Sequence, residues 1–196
     1  MRTRFICCLV LGLWSGVARA ESLALATSGP TDPAFVARVS DFLAELYAVP
    51  VRAAGTIEPV EGDLRAQARA ACDLRRADEL LLLLVFGNPD GRSHGALLRD
   101  IPVAAVNLAA MAPADAPEDL PAETYARRAE RQAVRAVAFL LDLTYCPNPH
   151  CAAHPYQTLA DLDTLARDLC PPCRGRAQQR LTGTSLEPEW APPPAE

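Results

Sequence analysis

The sequence predicts an α/β protein in which helices pack on a mixed, partly parallel sheet. Apolar segments of strand length alternate with amphipathic helical segments along most of the chain. The continuous apolar run "ELLLLLVFG" at 79–87 is followed by glycine and proline, as is typical of a strand buried on both faces. A long helical pattern over 119–143 supplies the third observation, because it indicates a helix long enough to cover the sheet.

The first half of the chain contains two strand–helix pairs in order. "SLALA" at 22–26 predicts a strand, and Thr31 or Asp32 can cap the helix that follows. A second strand is predicted around Val51. Asp63 can cap a helix that runs to about Arg76.

After the buried strand at 79–87, "IPVAAVNLA" at 101–109 predicts a further strand, and 112–121 predicts a loop. The segment "GNPDGRSHG", which contains an Asp-Gly turn signal, is also expected to be a loop. The proline-rich C-terminus is expected to be disordered. The predicted division is a signal peptide over 1–20, an α/β domain over 21–145, a cysteine-bearing segment over 146–182 and a tail over 183–196.

Composition limits the classes of function. The chain has 196 residues, 50% of them apolar, which suits one domain with its own core. Its net charge is -5 and no block of like charge is present. We therefore expect no nucleic-acid partner.

The N-terminus "MRTRFICCLVLGLWSGVARA" has the three parts of a secretory signal peptide. Arg2 and Arg4 form the basic region, 5–14 is a short apolar run, and 18–20 is a small-x-small cleavage site. The run is too short to span a bilayer. The sequence therefore predicts an exported protein, periplasmic or secreted, with no stable membrane insertion after signal removal.

Four of the cysteines form two close pairs around a helical stretch. Cys146 and Cys151 are separated by "PNPH", and Cys170 and Cys173 by "PP". Two such pairs can supply four thiolates for tetrahedral Zn²⁺, and the prolines stiffen both turns. The pattern predicts one structural zinc ion.

The alternative to zinc is two disulfides, which an exported location favours. Without the signal peptide five cysteines remain, and an odd number argues against a complete disulfide framework. His150 and His154 are either alternative metal ligands or surface histidines. Cys72, on a predicted helix face, is expected to be a buried thiol with no role.

The order of elements and cysteines resembles the archaemetzincins, a family of zinc-dependent peptidases. The resemblance rests on the buried strand ending in "VFG", a strand, a long helix, then Cys-x4-Cys and Cys-x2-Cys. It implies a metzincin-like sandwich with a long central helix and a C-terminal knuckle subdomain in which four cysteines hold zinc. In that family the helix carries HExxHxxGxxH, whose histidines bind catalytic zinc and whose glutamate is the general base.

Aligned on Cys146, the family's catalytic motif falls on residues that cannot perform its chemistry. Its three histidines fall on Arg135, Phe139 and Tyr145. Its glutamate falls on Ala136 and its glycine on Asp142. Arg and Phe provide no lone pair for a metal, and Ala cannot accept a proton. No catalytic residue is carried over, whereas the four cysteines are.

Three expectations concern what fills this region. Arg135 and Asp142, two helical turns apart, either form an ion pair across Phe139 or face solvent. Tyr145 is either a pocket residue or a packing residue. His94, in the Gly-rich loop, is a candidate for a relocated acid or base, but no second imidazole or carboxylate lies at motif spacing.

These observations predict an exported, archaemetzincin-like pseudo-peptidase that binds one zinc ion without catalysis. It would act as a binding or structural module for an unknown peptide or protein ligand. The alternative is an active zinc-dependent metallopeptidase with a rearranged site that uses His94, His150 or His154. A third hypothesis is a disulfide-stapled module with no metal.

Overall fold

The computed structural model describes residues 22–87, 93–112 and 122–183. They form a five-stranded sheet in the order β2-β1-β3-β5-β4, with β4 antiparallel to β5 and all other neighbours parallel. The strands are β1 (Ser22–Ser28), β2 (Val51–Ile57), β3 (Glu79–Val85), β4 (Gly95–Leu98) and β5 (Val103–Asn107). The α-helices are α1 (Pro33–Tyr47), α2 (Leu64–Ala70), α3 (Ala122–Leu140), α4 (Leu159–Thr164) and α5 (Pro171–Thr182).

Strand β3 lies at the centre of the sheet, between β1 and β5, and all seven of its residues are buried. Because side chains alternate along a strand, Leu80, Leu82 and Leu84 enter the core shared with α1, α3 and the cysteine-bearing segment. Leu81, Leu83 and Val85 enter a second core beside α2. The expected mixed α/β sandwich and its doubly buried strand are confirmed.

The predicted N-caps are present. Asp32, rather than Thr31, caps α1 by accepting a hydrogen bond from the backbone N–H of Ala34 at 2.9 Å. Asp63 caps α2 in the same way, accepting from the backbone N–H of Ala66 at 2.9 Å.

Helix α2 ends at Ala70 and not near Arg76 as the sequence indicates. A 3₁₀ turn, Cys72–Leu74, follows, because the backbone N–H of Leu74 bonds three residues back to the Ala71 carbonyl. The Arg75 side chain then donates to three carbonyls of the turn that leads into β3.

The edge strand β4 was not predicted from the sequence, because "GNPDGRSHG" was expected to be a loop and no strand was expected between it and 101–109. The four residues of β4 pair with β5, from Gly95 opposite Val106 to Leu98 opposite Val103. A Cβ at Gly95 would lie 3.1 Å from the Ala105 carbonyl oxygen, so glycine allows this close pairing. A run this short shows no clear alternation, and residues 88–92 of the predicted loop lie outside the described part.

Helix α3 is the long helix expected from the sequence, and it packs on α1 as well as on the sheet. The Tyr47 hydroxyl donates to the Val134 carbonyl at 2.8 Å. Glu130 of α3 is fully buried and lies 2.8 Å from Arg38 Nε and 2.7 Å from Arg167 Nη2. Burying a carboxylate demands such cationic partners, so this pair of contacts fixes α3 against α1 and the segment around Arg167.

Several expectations fall on residues outside the described part. They are the signal peptide, the loop at 112–121 apart from its first residue, and the tail apart from Gly183. Within the described residues, no helix combines the length and apolar character that a membrane crossing requires. The predicted division at Cys146 stays a prediction, although Cys146, Leu162 and Leu181 share the core of the sheet.

The ion pair between Arg52 on β2 and Glu79 on β3 predicts acid sensitivity. Arg52 donates to both carboxylate oxygens of Glu79, at 2.7 and 2.6 Å, and these bonds lower the Glu79 pKa from 4.5 to about 2. Since the folded-state pKa is the lower one, the stabilisation is complete above about pH 4.5 and is lost as the pH falls towards 2. Glu79→Gln should lower the unfolding free energy at pH 7 by about 1–3 kcal/mol.

Urea denaturation of wild type and Glu79→Gln at each pH measures this effect, because subtraction cancels the titration of all other groups. The difference should shrink between pH 4.5 and 2. Asp100→Asn is the matched control, since Asp100 forms an exposed pair with Arg69 at 3.7 Å. A difference that stays constant down to pH 2 would contradict the proposed role of the pair.

Candidate functional site

The four predicted cysteines lie together after the end of α3. Their sulfurs are all within 4.8 Å of one another, and those of Cys146 and Cys170 are 3.6 Å apart. Tetrahedral zinc with bonds of about 2.3 Å needs sulfurs about 3.8 Å apart. All four thiols are free, and three of them are buried. The donor set therefore fits one zinc ion.

Backbone and side-chain donors around the sulfurs favour the thiolate form that a metal needs. The Cys170 backbone N–H donates to Cys151 Sγ at 3.3 Å. Arg176 Nη2 donates to Cys173 Sγ, also at 3.3 Å. Such contacts orient the ligands of a metal and offset the negative charge of four thiolates.

The other candidates for metal ligands lie apart from this cluster. Within the described ranges, the four cysteines are the sole group of three or more potential ligand residues in mutual reach. His150 is exposed, and the Nδ1 of His154 lies 2.8 Å from the Cys146 carbonyl oxygen, where it stabilises the loop. Cys72 is half-buried, and its thiol donates weakly to the Ala68 carbonyl at 3.5 Å.

A row of arginines on α3 holds the cysteine-bearing segment in place. Arg128, Arg131 and Arg135 share one helix side, being three and four residues apart. Arg128 contacts the Asp163 carboxylate at 2.6 Å, and Arg131 donates to the Leu165 carbonyl at 2.8 Å. Arg128 and Arg131 were not singled out from the sequence, although three arginines at this spacing on an Ala-rich helix could have indicated their role.

Arg135, the third arginine of this row, contacts the loop that contains Cys151. Its Nη1 donates to the Ala152 carbonyl at 2.6 Å and also to the His154 carbonyl. The guanidinium lies over the ring of Tyr156, 4.8 Å from its centre, and 5.3 Å from that of Phe139. Burial lowers the pKa of Arg135, and a guanidinium still remains a cation in neutral solution.

A cavity of about 480 Å³ lies between α3, β4 and the loop that contains Tyr156. Four of its lining residues are those that the resemblance aligned with the family's metal ligands and general base: Arg135, Ala136, Phe139 and Tyr145. The remaining lining residues come from β4, β5, α3 and the loop: Ser93, His94, Gly95, Ala96, Leu97, Ala104, Ala105, Val106, Gln132, Tyr156 and Gln157. The aligned positions thus share one concave surface, which helical spacing alone could not establish for Tyr145.

The predicted ion pair between Arg135 and Asp142 is wrong. Asp142 is exposed and lies 3.5 Å from Arg99 instead. The prediction assumed a helix to 143, whereas α3 ends at Leu140 and Asp142 has a left-handed φ of 58°. The prediction that both residues face solvent holds for Asp142 but fails for Arg135, which is only 6% exposed.

Tyr145 is a pocket residue rather than a packing residue. It is 64% exposed, and its ring meets that of Phe139 edge-on with centres 5.3 Å apart. It therefore forms part of the rim of the cavity.

His94 lies in the cavity, which was not expected of a loop histidine. Its ring stacks on Tyr156 with centres 5.6 Å apart, and its Nδ1 lies 2.7 Å from the Tyr156 hydroxyl oxygen. Burial lowers the pKa of His94 and raises that of Tyr156 to about 12, so both are neutral near pH 7. Among the described lining residues there is no second imidazole and no carboxylate to pair with His94.

Together the elements define a class: an α/β sandwich whose long helix backs a cleft and leads directly into a four-cysteine metal site. Archaemetzincin AmzA from Methanopyrus kandleri has this fold, with a TM-score of 0.68 and 17% identity over 87% of this chain and 99% of that one. A zinc-dependent peptidase from Methanocorpusculum labreanum gives a TM-score of 0.61 and 18% identity, covering 80% and 100% of the two chains.

A third structure, archaemetzincin AmzA from Archaeoglobus fulgidus complexed with malonate, gives a TM-score of 0.61 at 14% identity over 79% of this chain and 99% of that one. The chain therefore has the archaemetzincin fold, as the sequence predicts. No protein-family model matches the sequence, and comparison with curated proteins gives no match.

The cysteine cluster predicts a large effect of removing one thiol. Cys170→Ser should abolish stoichiometric zinc binding and lower the unfolding free energy by at least about 3 kcal/mol, because binding free energy at a structural site is folding free energy. That corresponds to a fall of roughly 6–12 °C in Tm. Differential scanning calorimetry and metal analysis measure both quantities.

Cys72→Ser is the matched control, since it removes a thiol outside the cluster. It should keep its zinc and shift Tm far less. Equal stability and zinc content in the two variants would rule out a metal at these cysteines.

Proposed function

We propose that this protein is an exported, non-catalytic pseudo-peptidase with the archaemetzincin fold. It holds one structural zinc ion and acts as a binding module for a peptide or protein ligand in the cavity beneath α3. Export follows from the signal-like sequence at 1–20. The single observation that carries the loss of catalysis is the position of Arg135, whose guanidinium lines the cavity between Tyr156 and Phe139.

A guanidinium at this position opposes a catalytic metal in two ways. It has no lone pair to donate, and its positive charge repels a divalent cation. Its neighbours Ala136 and Phe139 likewise offer no ligand atom and no base.

The donor set of the cavity does not fit catalytic zinc. Such zinc takes three protein ligands and keeps an open position for water. Among the described lining residues His94 is the one imidazole, and none is Asp or Glu. His94 bonds to the Tyr156 hydroxyl through Nδ1, and no carboxylate among the described lining residues orients its imidazole as a general base.

The four-cysteine site fits a structural zinc ion instead. Cys146 and Cys151 would hold the loop after α3, and Cys170 and Cys173 would hold the start of α5. Zinc with four protein ligands has no open position for a substrate, so the ion would stabilise the fold without taking part in a reaction.

This function predicts the metal content and activity of the purified protein. Elemental analysis should find one zinc ion per chain, and a mixed-peptide digest followed by mass spectrometry should find no cleavage. Two zinc ions per chain, or cleavage that a chelator stops, would establish the alternative of an active metallopeptidase. Absence of zinc with the four cluster thiols oxidised would establish the disulfide-stapled module.

A variant with added histidines is the positive control for the expected lack of a second zinc ion in the cavity. Changing Arg135, Phe139 and Tyr145 to His places three imidazoles on the wall of the same cavity. That variant should bind a second zinc ion, whereas a variant with only Tyr145→His should keep one. A second ion in the wild type as well would contradict the loss of the catalytic site.

A further inference from the structure

The charge of Arg135 has no carboxylate partner in the described structure, although the guanidinium lies near the cysteine cluster, where Cys151 acts on its charge. Arg135 is buried, with only 6% of the residue exposed. No described acidic residue forms an ion pair with it, and no Asp or Glu of the described residues lines the cavity. The other two arginines of the row, Arg128 and Arg131, both lie within 4.0 Å of Asp163. A carboxylate stabilises a buried cation, and Arg135 is the one arginine of this row that has none among the described residues.

One edge of the guanidinium is free to bind a ligand. Only Nη1 donates hydrogen bonds within the described residues, to the carbonyls of Ala152 and His154. Among the described residues, the side-chain atom that is sealed from solvent and lacks a well-aligned hydrogen bond is Oε2 of Glu130, which lies 2.7 Å from Arg167 Nη2. The Nε and Nη2 of Arg135 are therefore open to solvent, and the open space that this residue lines is the cavity.

Two aromatic rings lie against the guanidinium of Arg135. Tyr156 and Phe139 lie 4.8 and 5.3 Å from the guanidinium carbon and attract the cation through their rings. The adjacent Nε–H and Nη2–H of a guanidinium match the two oxygens of a carboxylate in a planar, bidentate pair.

We propose that the cavity binds a carboxylate group, with its two oxygens on the Nε and Nη2 of Arg135. This inference rests on the proposed function and names the chemistry of the ligand. The carboxylate belongs either to a small organic acid or to the C-terminus of a peptide, and a cavity of about 480 Å³ has room for either. The Tyr156–His94 pair forms the wall beside it, and both groups are neutral hydrogen-bonding partners.

Isothermal titration of the zinc-loaded protein at pH 7 tests the proposal with matched probes. The probes are benzoate, benzamide, the peptide acetyl-Ala-Ala-Phe with a free carboxylate, and the same peptide as its C-terminal amide. Each acid should bind at least about tenfold tighter than its amide, because the amide loses a charge-assisted bidentate pair. Equal affinity of acid and amide, or no binding of any probe, would overturn the proposal.

The two sources of the carboxylate are separated in the same experiment. If the peptide acid binds at least about tenfold tighter than benzoate, the ligand is a peptide C-terminus; similar affinities indicate a small organic acid. Sulfate serves as a competitor. Displacement of the acids by sulfate at equal concentration would show a general anion site and contradict carboxylate recognition.

Two variants connect binding to the cavity. Arg135→Met should abolish acid binding, and Arg69→Met is its control, since Arg69 is an exposed arginine that does not line this cavity. Arg135 also supports the cysteine segment, so zinc content and Tm of Arg135→Met must be measured. Ala136→Phe is the second variant, because it fills the cavity and leaves the Arg135 side chain unchanged.

Acid binding should fall at least about tenfold in Ala136→Phe and remain in Arg69→Met. Unchanged binding in Ala136→Phe would place the ligand elsewhere and overturn the proposal. Failure here is distinguishable from failure of the proposed function. Peptide cleavage refutes the pseudo-peptidase, whereas acids that bind no better than amides to an inert, zinc-loaded protein refute only the carboxylate site.

Discussion

The contact between α3 and the cysteine-bearing segment is the interaction on which the rest of this structure depends. Three arginines on one side of α3 reach carbonyls and a carboxylate of that segment, and Arg135 contacts the two carbonyls beside Cys151. These contacts place the loop after α3, which contains Cys146 and Cys151, beside the start of α5, where Cys170 and Cys173 lie. A four-thiol site and the roof of the cavity follow from the same set of contacts.

Different nitrogens of the Arg135 guanidinium have different roles. Its Nη1 stabilises the segment that contains the metal ligands, while its charge and remaining nitrogens line the cavity. Here a side-chain cation between two aromatic rings occupies the wall of the cavity, and an arginine cannot activate water as a metal does. Recognition of an anion, as we propose for this cavity, is compatible with a guanidinium at this position.

Several elements could be predicted because their signals are local. The doubly buried strand at Glu79–Val85, the caps Asp32 and Asp63, and the grouping of the four cysteines all follow from neighbouring residues and spacing. Strand β4 escaped prediction, because four residues hydrogen-bonded to a distant strand leave little trace in the sequence.

By itself, the sequence determined the α/β class, the order of most elements and the chemistry that the chain retains: four thiols and no histidine motif on the long helix. These are properties of residue type and of short-range spacing. Tertiary structure decided where Arg135 points, that Asp142 pairs with Arg99, and that His94 meets Tyr156, a residue 62 positions away. Such contacts depend on where a helix ends and which strand lies at the sheet edge, and both are settled only when distant parts of the chain pack together.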